Sequence, residues 1–178
     1  PAFNIQDSIE EASEVAKDFG YSHVFITKNG EFVGALSQAF LEESPDGSLE
    51  SLEIHYERFA ILDDGNVLDS VKLFYVFNAN RVPIINLHEK YLGYISCDDV
   101  FSEFSKYPLF SESGAVLTIQ TQNLHYSFAE ITKIVESNNS KIYGIYVSAI
   151  NIDNIHITMK ISNENLTSID ETLERYGY

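Results

Sequence analysis

The chain has 178 residues, 27 of them acidic and 11 basic, for a formal net charge of −16 and a pI near 4.5. Apolar residues make up 44%; this excludes global disorder, and no apolar run approaches the ~20 residues of a membrane-spanning helix. The acidity argues against nucleic acid and anionic lipid as partners, because both demand a basic face. The lone cysteine, Cys97, excludes a disulfide framework and a cysteine-based zinc site, and a reducing, cytoplasmic setting is expected.

The first residues are polar, unlike a signal peptide. A start at proline and an end at Tyr178 inside an unfinished pattern lead us to expect trimming at both ends. Ser8 with Glu11, or Asp7 with Glu10, has capping-box spacing. Ile9, Ala12, Val15, Ala16 and Phe19 then recur at helical spacing, and Gly20 stops the helix. His23–Thr27 reads as a strand, Asn29-Gly30 as a tight hairpin turn, and Phe32–Leu36 as the return strand. A short helix follows near residues 39–43, then a turn cluster at Ser44–Ser48.

The same order returns about 58 residues later. Asn66 is placed to cap a helix carrying Val67, Leu68, Val71, Phe74 and Tyr75. Val82–Ile85 is a strand, Leu87–Lys90 a turn one residue longer than its counterpart, Tyr91–Ile95 the return strand and Asp98–Phe104 a helix. Neither copy buries its sheet face alone, so the two are expected to pack on each other. Charge is uneven: 19 acidic and 7 basic side chains stand up to Lys106, against 8 and 4 after it. The stretch Tyr107–Gly114 has no period and carries Pro and Gly, which marks a boundary. Beyond it, Ala115–Thr121 reads as a strand, Ser127 and Glu130 as a capping box before a helix, Lys141–Ile150 and Ile155–Ile161 as strands, and Leu166–Tyr176 as a helix. One more strand after this βαββα order would complete a ferredoxin-like plan.

A strand Val-Pro-Ile-Ile, a turn, and then Tyr-Leu-Gly-Tyr-Ile-Ser-x-x-Asp resembles a CBS domain, named for cystathionine beta-synthase. The resemblance covers residues 2–105 as a tandem pair. Pro83, Gly93, Ser96 and Asp99 stand where the family has them; in the first copy Phe25 replaces the usual proline and Phe40 the usual aspartate. The last unit is similar to an ACT domain, so the whole resembles bacterial CBS proteins of the acetoin-utilisation type. The fold class implied is α+β: a CBS pair of two β-α-β-β-α-like repeats (1–50 and 51–106), a linker (107–113), and a βαββα(β) ACT-like domain (114–178) whose last strand is expected to be missing.

Ser96 and Asp99 sit where a strand enters a helix. A carboxylate there can accept two hydrogen bonds from the vicinal hydroxyls of a ribose, while Ser96 caps the helix and faces a phosphate at its N-terminus. Backbone around Ile84 and Ile85 can bond an adenine edge, with their side chains against its face. Ser-x-x-Asp at a helix start is equally an ordinary cap. In the family this pattern binds AMP, ATP or S-adenosylmethionine, which implies a site of Arg81, Pro83, Ile84, Ile85, Ser96 and Asp99 in the second copy alone. Arg58, Lys72 and Lys90 are the other cations near in sequence. Phe40 is no substitute for a carboxylate acceptor, so the first copy's ribose site is expected to be lost.

Other chemistry fails on inspection. No two of His23, His55, His88, His125 and His156 share a ligand spacing on a helix, so no metal is expected. There is no nucleophile elbow or Walker-type loop. Carboxylates beside Cys97 oppose thiol reactivity. In the ACT-like unit the turn Gln122–Tyr126 lacks the glycine that lets a ligand approach backbone, so pairing of sheets between protomers is expected there instead. The expected protein is a non-catalytic regulator that requires no cofactor, acts as a homodimer on a partner enzyme, and senses an adenosine-containing ligand. The alternative is a ligand-free dimerisation module.

Overall fold

A computed structural model describes residues 2–122 and 126–178. The turn Asn123-Leu124-His125 read above lies outside the described residues. The chain divides into two compact units, Pro1–Glu103 and Phe104–Tyr178, with mixed α and β structure in each.

The first unit is built twice over. Its first repeat runs β1 (Ala2–Asn4), α1 (Ile9–Asp18), β2 (His23–Lys28), β3 (Glu31–Ser37) and α2 (Gln38–Glu42). Its second runs β4 (Ile61–Leu62), α3 (Leu68–Val76), β5 (Arg81–Ile85), β6 (Tyr91–Ser96) and α4 (Cys97–Phe104). Each repeat forms a three-stranded sheet in chain order, the first pair parallel and the second antiparallel. Ser8 caps α1 by accepting from the Glu11 N–H, and Asn29 and Gly30 both take positive φ, as a tight hairpin turn requires. The hairpin register slips at Ile26/Thr27 in one copy and at Ile84/Ile85 in the other, equivalent positions 58 residues apart. Asn66 acts one residue earlier than expected: its side chain accepts from the Leu68 N–H, and α3 starts at Leu68.

Reciprocal hydrogen bonds tie the repeats together. Phe32 N–H donates to the Glu89 carbonyl at 2.7 Å and Tyr91 N–H to the Gly30 carbonyl at 3.0 Å. Exchanging each residue for its counterpart 59 positions away turns one bond into the other, which is the mark of an internal two-fold. Ser22 and Asn80, 58 apart, do the same with side chains: Ser22 N–H donates to Asn80 Oδ1 at 3.0 Å and Asn80 N–H to Ser22 Oγ at 2.8 Å. Phe25, fully buried, lies against Phe32 and the second copy's Tyr91, with centroids 6.4 and 6.0 Å away. The bulk that replaces proline in the first copy thus fills the space between the copies.

A 3-10 turn (Leu49–His55) closes the first repeat. Leu49 and Leu52 pack into the core beneath α1 and α2, and the Leu49 and Glu50 N–H groups donate to Asp7 and Ile5. The first repeat's core therefore extends beyond residue 50.

The second unit holds α5 (Pro108–Ser111), β7 (Ala115–Gln122), α6 (Phe128–Ser137), β8 (Ile142–Ile150), β9 (Asn154–Ile161) and α7 (Leu166–Tyr176). The strands form an antiparallel sheet in the order β7-β9-β8. Ile131, Ile134, Val135, Ile169 and Leu173 of the helices share a core with Ile119, Ile157, Met159 and Ile161. The stretch expected as a linker without helical or strand period contains α5. Pro108 occupies its first position, where a missing N–H costs nothing, and Leu109 packs on Gly144, where an added Cβ would come within 2.8 Å of it.

The Ser22–Asn80 exchange is polar, half-buried and directional, so it supports the repeat interface more than its size suggests. Asn80→Ala strands the Ser22 N–H and the Gly20 carbonyl, which accepts from Asn80 Nδ2 at 2.7 Å. Urea unfolding should show a loss of about 1–3 kcal/mol with a folded spectrum retained; an unchanged midpoint refutes the role.

Candidate functional site

The site forms where β5 and β6 lie side by side and α4 begins. Arg81 and Ser96 are direct cross-strand partners, as are Pro83 and Tyr94. These four therefore share one face of the hairpin. Ser96 and Asp99 make a reciprocal cap: Ser96 N–H and Oγ–H donate to Asp99 Oδ2 at 2.8 and 2.6 Å, and Asp99 N–H donates to Ser96 Oγ at 3.2 Å. These bonds, with the Arg81 charge nearby, hold the Asp99 carboxyl below the usual carboxylate range. It is ionised at neutral pH and exposed. Both bonds that the carboxylate accepts fall on Oδ2, so Oδ1 takes no part in the cap.

Arg81 lies over two rings. Its guanidinium carbon is 4.2 Å from the Tyr21 centroid and 5.5 Å from that of Tyr94. Nη1 donates to Asn80 Oδ1 at 3.3 Å, while the buried Nε has no hydrogen-bond partner among the described residues. Phe19 stacks on Tyr21 with centroids 5.7 Å apart. The first copy thus supplies one wall of a cluster whose polar groups belong to the second.

The structure brings Arg81, Ser96 and Asp99 together, with the buried Pro83 one alternation along β5. Ile84 is paired with Gly93 and stands on the other face of the strand. Ile85, beyond the register slip, packs against the core that holds Phe25 and Val82. Because β5 is the central strand, their backbone is engaged in pairing; the Ile85 carbonyl accepts from the Asp63 N–H at 2.9 Å. The expected adenine contacts there compete with the sheet. Among the other cations, Arg58 reaches Glu89 at 3.5 Å and Lys90 sits at the bridge to Glu31. Burial, more than Asp98, pushes the Cys97 thiol up. No cluster of three or more metal-ligating side chains occurs among the described residues.

Sequence reasoning missed Tyr21, Tyr94 and Asn80. Tyr94 was visible only as a strand residue. Ser22 and Asn80 share the repeat's offset, and comparing the two copies position by position would have marked them.

The equivalent place in the first copy is built differently. Ser37 Oγ accepts from the Phe40 N–H, so the serine cap is kept, but Phe40 lies against His55 with no carboxylate returned. His23, the counterpart of Arg81, is buried. Its Nε2 is 3.0 Å from Glu57 Oε2 and its Nδ1 3.0 Å from Ser22 Oγ, with Phe59 edge-on.

No protein-family model matches the chain, and no curated protein does. Solved structures do. A CBS domain pair/ACT domain protein from Thermotoga maritima is similar at a TM-score of 0.51 and 15% identity, over 58% of this chain and 87% of that one. The cystathionine beta-synthase pair domain of a protein from Shewanella oneidensis MR-1 gives 0.51 and 12%, over 59% and 64%. The two repeats have the fold of a CBS domain pair. Within that CBS-pair fold the Ser96–Asp99 cap marks the second repeat and the Ser37–Phe40 cap the first.

Burial lowers the His23 pKa, with Glu57 only partly offsetting it. The folded protein therefore binds this proton less readily than the unfolded chain. The resulting stability is complete above about pH 6.5, the ordinary value for histidine, and is lost as pH falls below it. Urea midpoints should decline from pH 7.5 to 5.5, and more steeply than in His23→Gln; equal slopes would show that His23 does not contribute.

Proposed function

We propose that the CBS pair is a non-catalytic sensor of an adenosine-containing ligand such as AMP, ATP or S-adenosylmethionine, bound at the second repeat. In this reading Asp99 takes the ribose hydroxyls, and Ser96 with the α4 N-terminus and Arg81 takes the phosphate or another anionic group. The base lies beside Pro83, on the face of β5 that also carries Arg81. The observation that carries it is the ionised, exposed Asp99 held beside Arg81 by a cap that uses only one of its oxygens. The two CBS repeats lie within residues 1–106, the first reaching past residue 50, and 114–178 is an ACT-like domain after the segment 107–113. Its β7-β9-β8 order leaves β7 as an edge where a fourth strand would add. Ligand binding signals through the geometry of a homodimer to a partner enzyme in the cytoplasm of a bacterium, and no further cofactor is required.

Thermal unfolding with AMP, ADP, ATP and S-adenosylmethionine tests this. Ligand at 100 times its dissociation constant adds about 2.7 kcal/mol, or ~2–4 °C per kcal/mol for a chain this size. Asp99→Asn, which keeps an acceptor for the cap, should abolish the shift. No shift with any ligand rejects the sensor.

A second reading, a ligand-free dimerisation module, is favoured by one observation. Leu68, Val71, Tyr75 and Val76 of α3 and Phe101 of α4 are 43–89% exposed. Their counterparts in the first repeat are Glu10, Ser13, Lys17, Asp18 and Glu42. One copy turns a polar helix face to solvent and the other an apolar one, as an interface does. A dimeric wild type that becomes monomeric with Val71→Glu or Tyr75→Glu supports it; light scattering that finds the wild type strictly monomeric rejects it.

A further inference from the structure

We infer that Tyr21 and Tyr94 form the stacking slot for the ligand's base, and that Arg81 occupies this slot until the base displaces it. The inference rests on the adenosine reading and adds two residues and a gating step to it. Three observations meet here. A planar cation lies against one ring from each repeat, 4.2 and 5.5 Å from their centroids. Arg81 has a buried Nε with no hydrogen-bond partner among the described residues, so its present position leaves a donor unsatisfied. The rings are held independently of it: Tyr21 by Phe19 and by its own N–H bond to the Ala16 carbonyl, Tyr94 by its place opposite Pro83 in the hairpin.

A guanidinium and a purine are both flat and both favour aromatic faces. A base entering beside Pro83 meets Tyr94, whose partner strand carries that proline, and takes the place of the guanidinium against the rings. Leaving the slot returns Nε to water, which offsets part of the lost ring contact. Arg81 opposes Ser96 across the hairpin, so its freed head stays within reach of an anion at the α4 N-terminus. One residue thus closes the slot when it is empty and reads the phosphate when it is filled. Because Tyr21 belongs to the first repeat and Tyr94 to the second, a stacked base also joins the two.

The slot and the phosphate role predict opposite effects of one substitution. Calorimetric titration of adenosine and AMP into wild type, Arg81→Ala and Tyr21→Leu separates them, with Arg81→Met as the second variant should alanine lower stability. Removing Arg81 should tighten adenosine on the order of 2- to 30-fold, the worth of the cation–ring contacts it no longer has to break. The same change should lower the preference for AMP over adenosine. Tyr21→Leu should weaken both ligands by roughly tenfold, with circular dichroism unchanged. Adenosine binding that is no tighter without Arg81, or that is indifferent to Tyr21, overturns the slot, while loss of AMP binding in Asp99→Asn leaves the sensor reading standing. Failure of every protein, Arg81→Ala included, to bind either ligand overturns both.

Discussion

The architecture of the first unit depends on an exchange of hydrogen bonds between two copies of one motif. A three-stranded sheet with two helices on one side leaves its other face bare, and a repeat of about 50 residues cannot bury enough surface to stand alone. The Phe32–Glu89 and Tyr91–Gly30 backbone bonds fix how the copies meet, and Ser22 with Asn80 repeats the exchange at another point. These bonds are directional, so they set register; Phe25 and the rings around it supply the burial. Arg81 follows Asn80 directly, so the same contact that joins the repeats places the candidate site's cation.

Once joined, the copies have diverged in a consistent direction. Where the second repeat has Pro83, Arg81 and Asp99, the first has Phe25, His23 and Phe40. Each of the first copy's residues is turned to packing: Phe25 fills the core between the copies, His23 is buried against Glu57 and Phe59, and Phe40 lies on His55. The second copy keeps a charge at Arg81 and Asp99, with Asp99 exposed. The serine cap survives in both, because starting a helix is a local need that is independent of any ligand.

What the sequence made legible divides along the same physical line. The elements with several turns or alternations, α1, β2, β3, β5, β6 and those of the second unit other than α5, announce themselves by period and by caps such as Ser8 and Ser127. The short strands β1 and β4 do not, since two or three residues hold no alternation to detect. The turn at Leu49–His55 and the helix α5 form because Leu49 and Leu109 find partners distant in the chain, and a proline read as a breaker becomes a helix start. At the site, Ser96 and Asp99 were readable because the cap that joins them spans three residues. Tyr21 was not, because its relation to Arg81 crosses 60 positions and exists only after the repeats have paired.

The charge balance gives the placement of Arg81 its weight. An acidic protein that reads an anion works against its own field at long range, although salt confines that field to roughly 8–10 Å. Within that distance a cation is useful only if its charge is not already satisfied. Arg58 is spent on Glu89 at 3.5 Å. Arg81 is held by two aromatic faces and an amide oxygen, contacts that position a guanidinium without neutralising it. Asp99 nearby is engaged by Ser96 and not by a direct salt bridge to Arg81 at 4 Å or less. Direct contacts with rings and an amide rather than with a carboxylate make sense for a half-buried cation whose charge is to be offered to something other than the protein, and the phosphate end of a nucleotide at the start of α4 fits that offer.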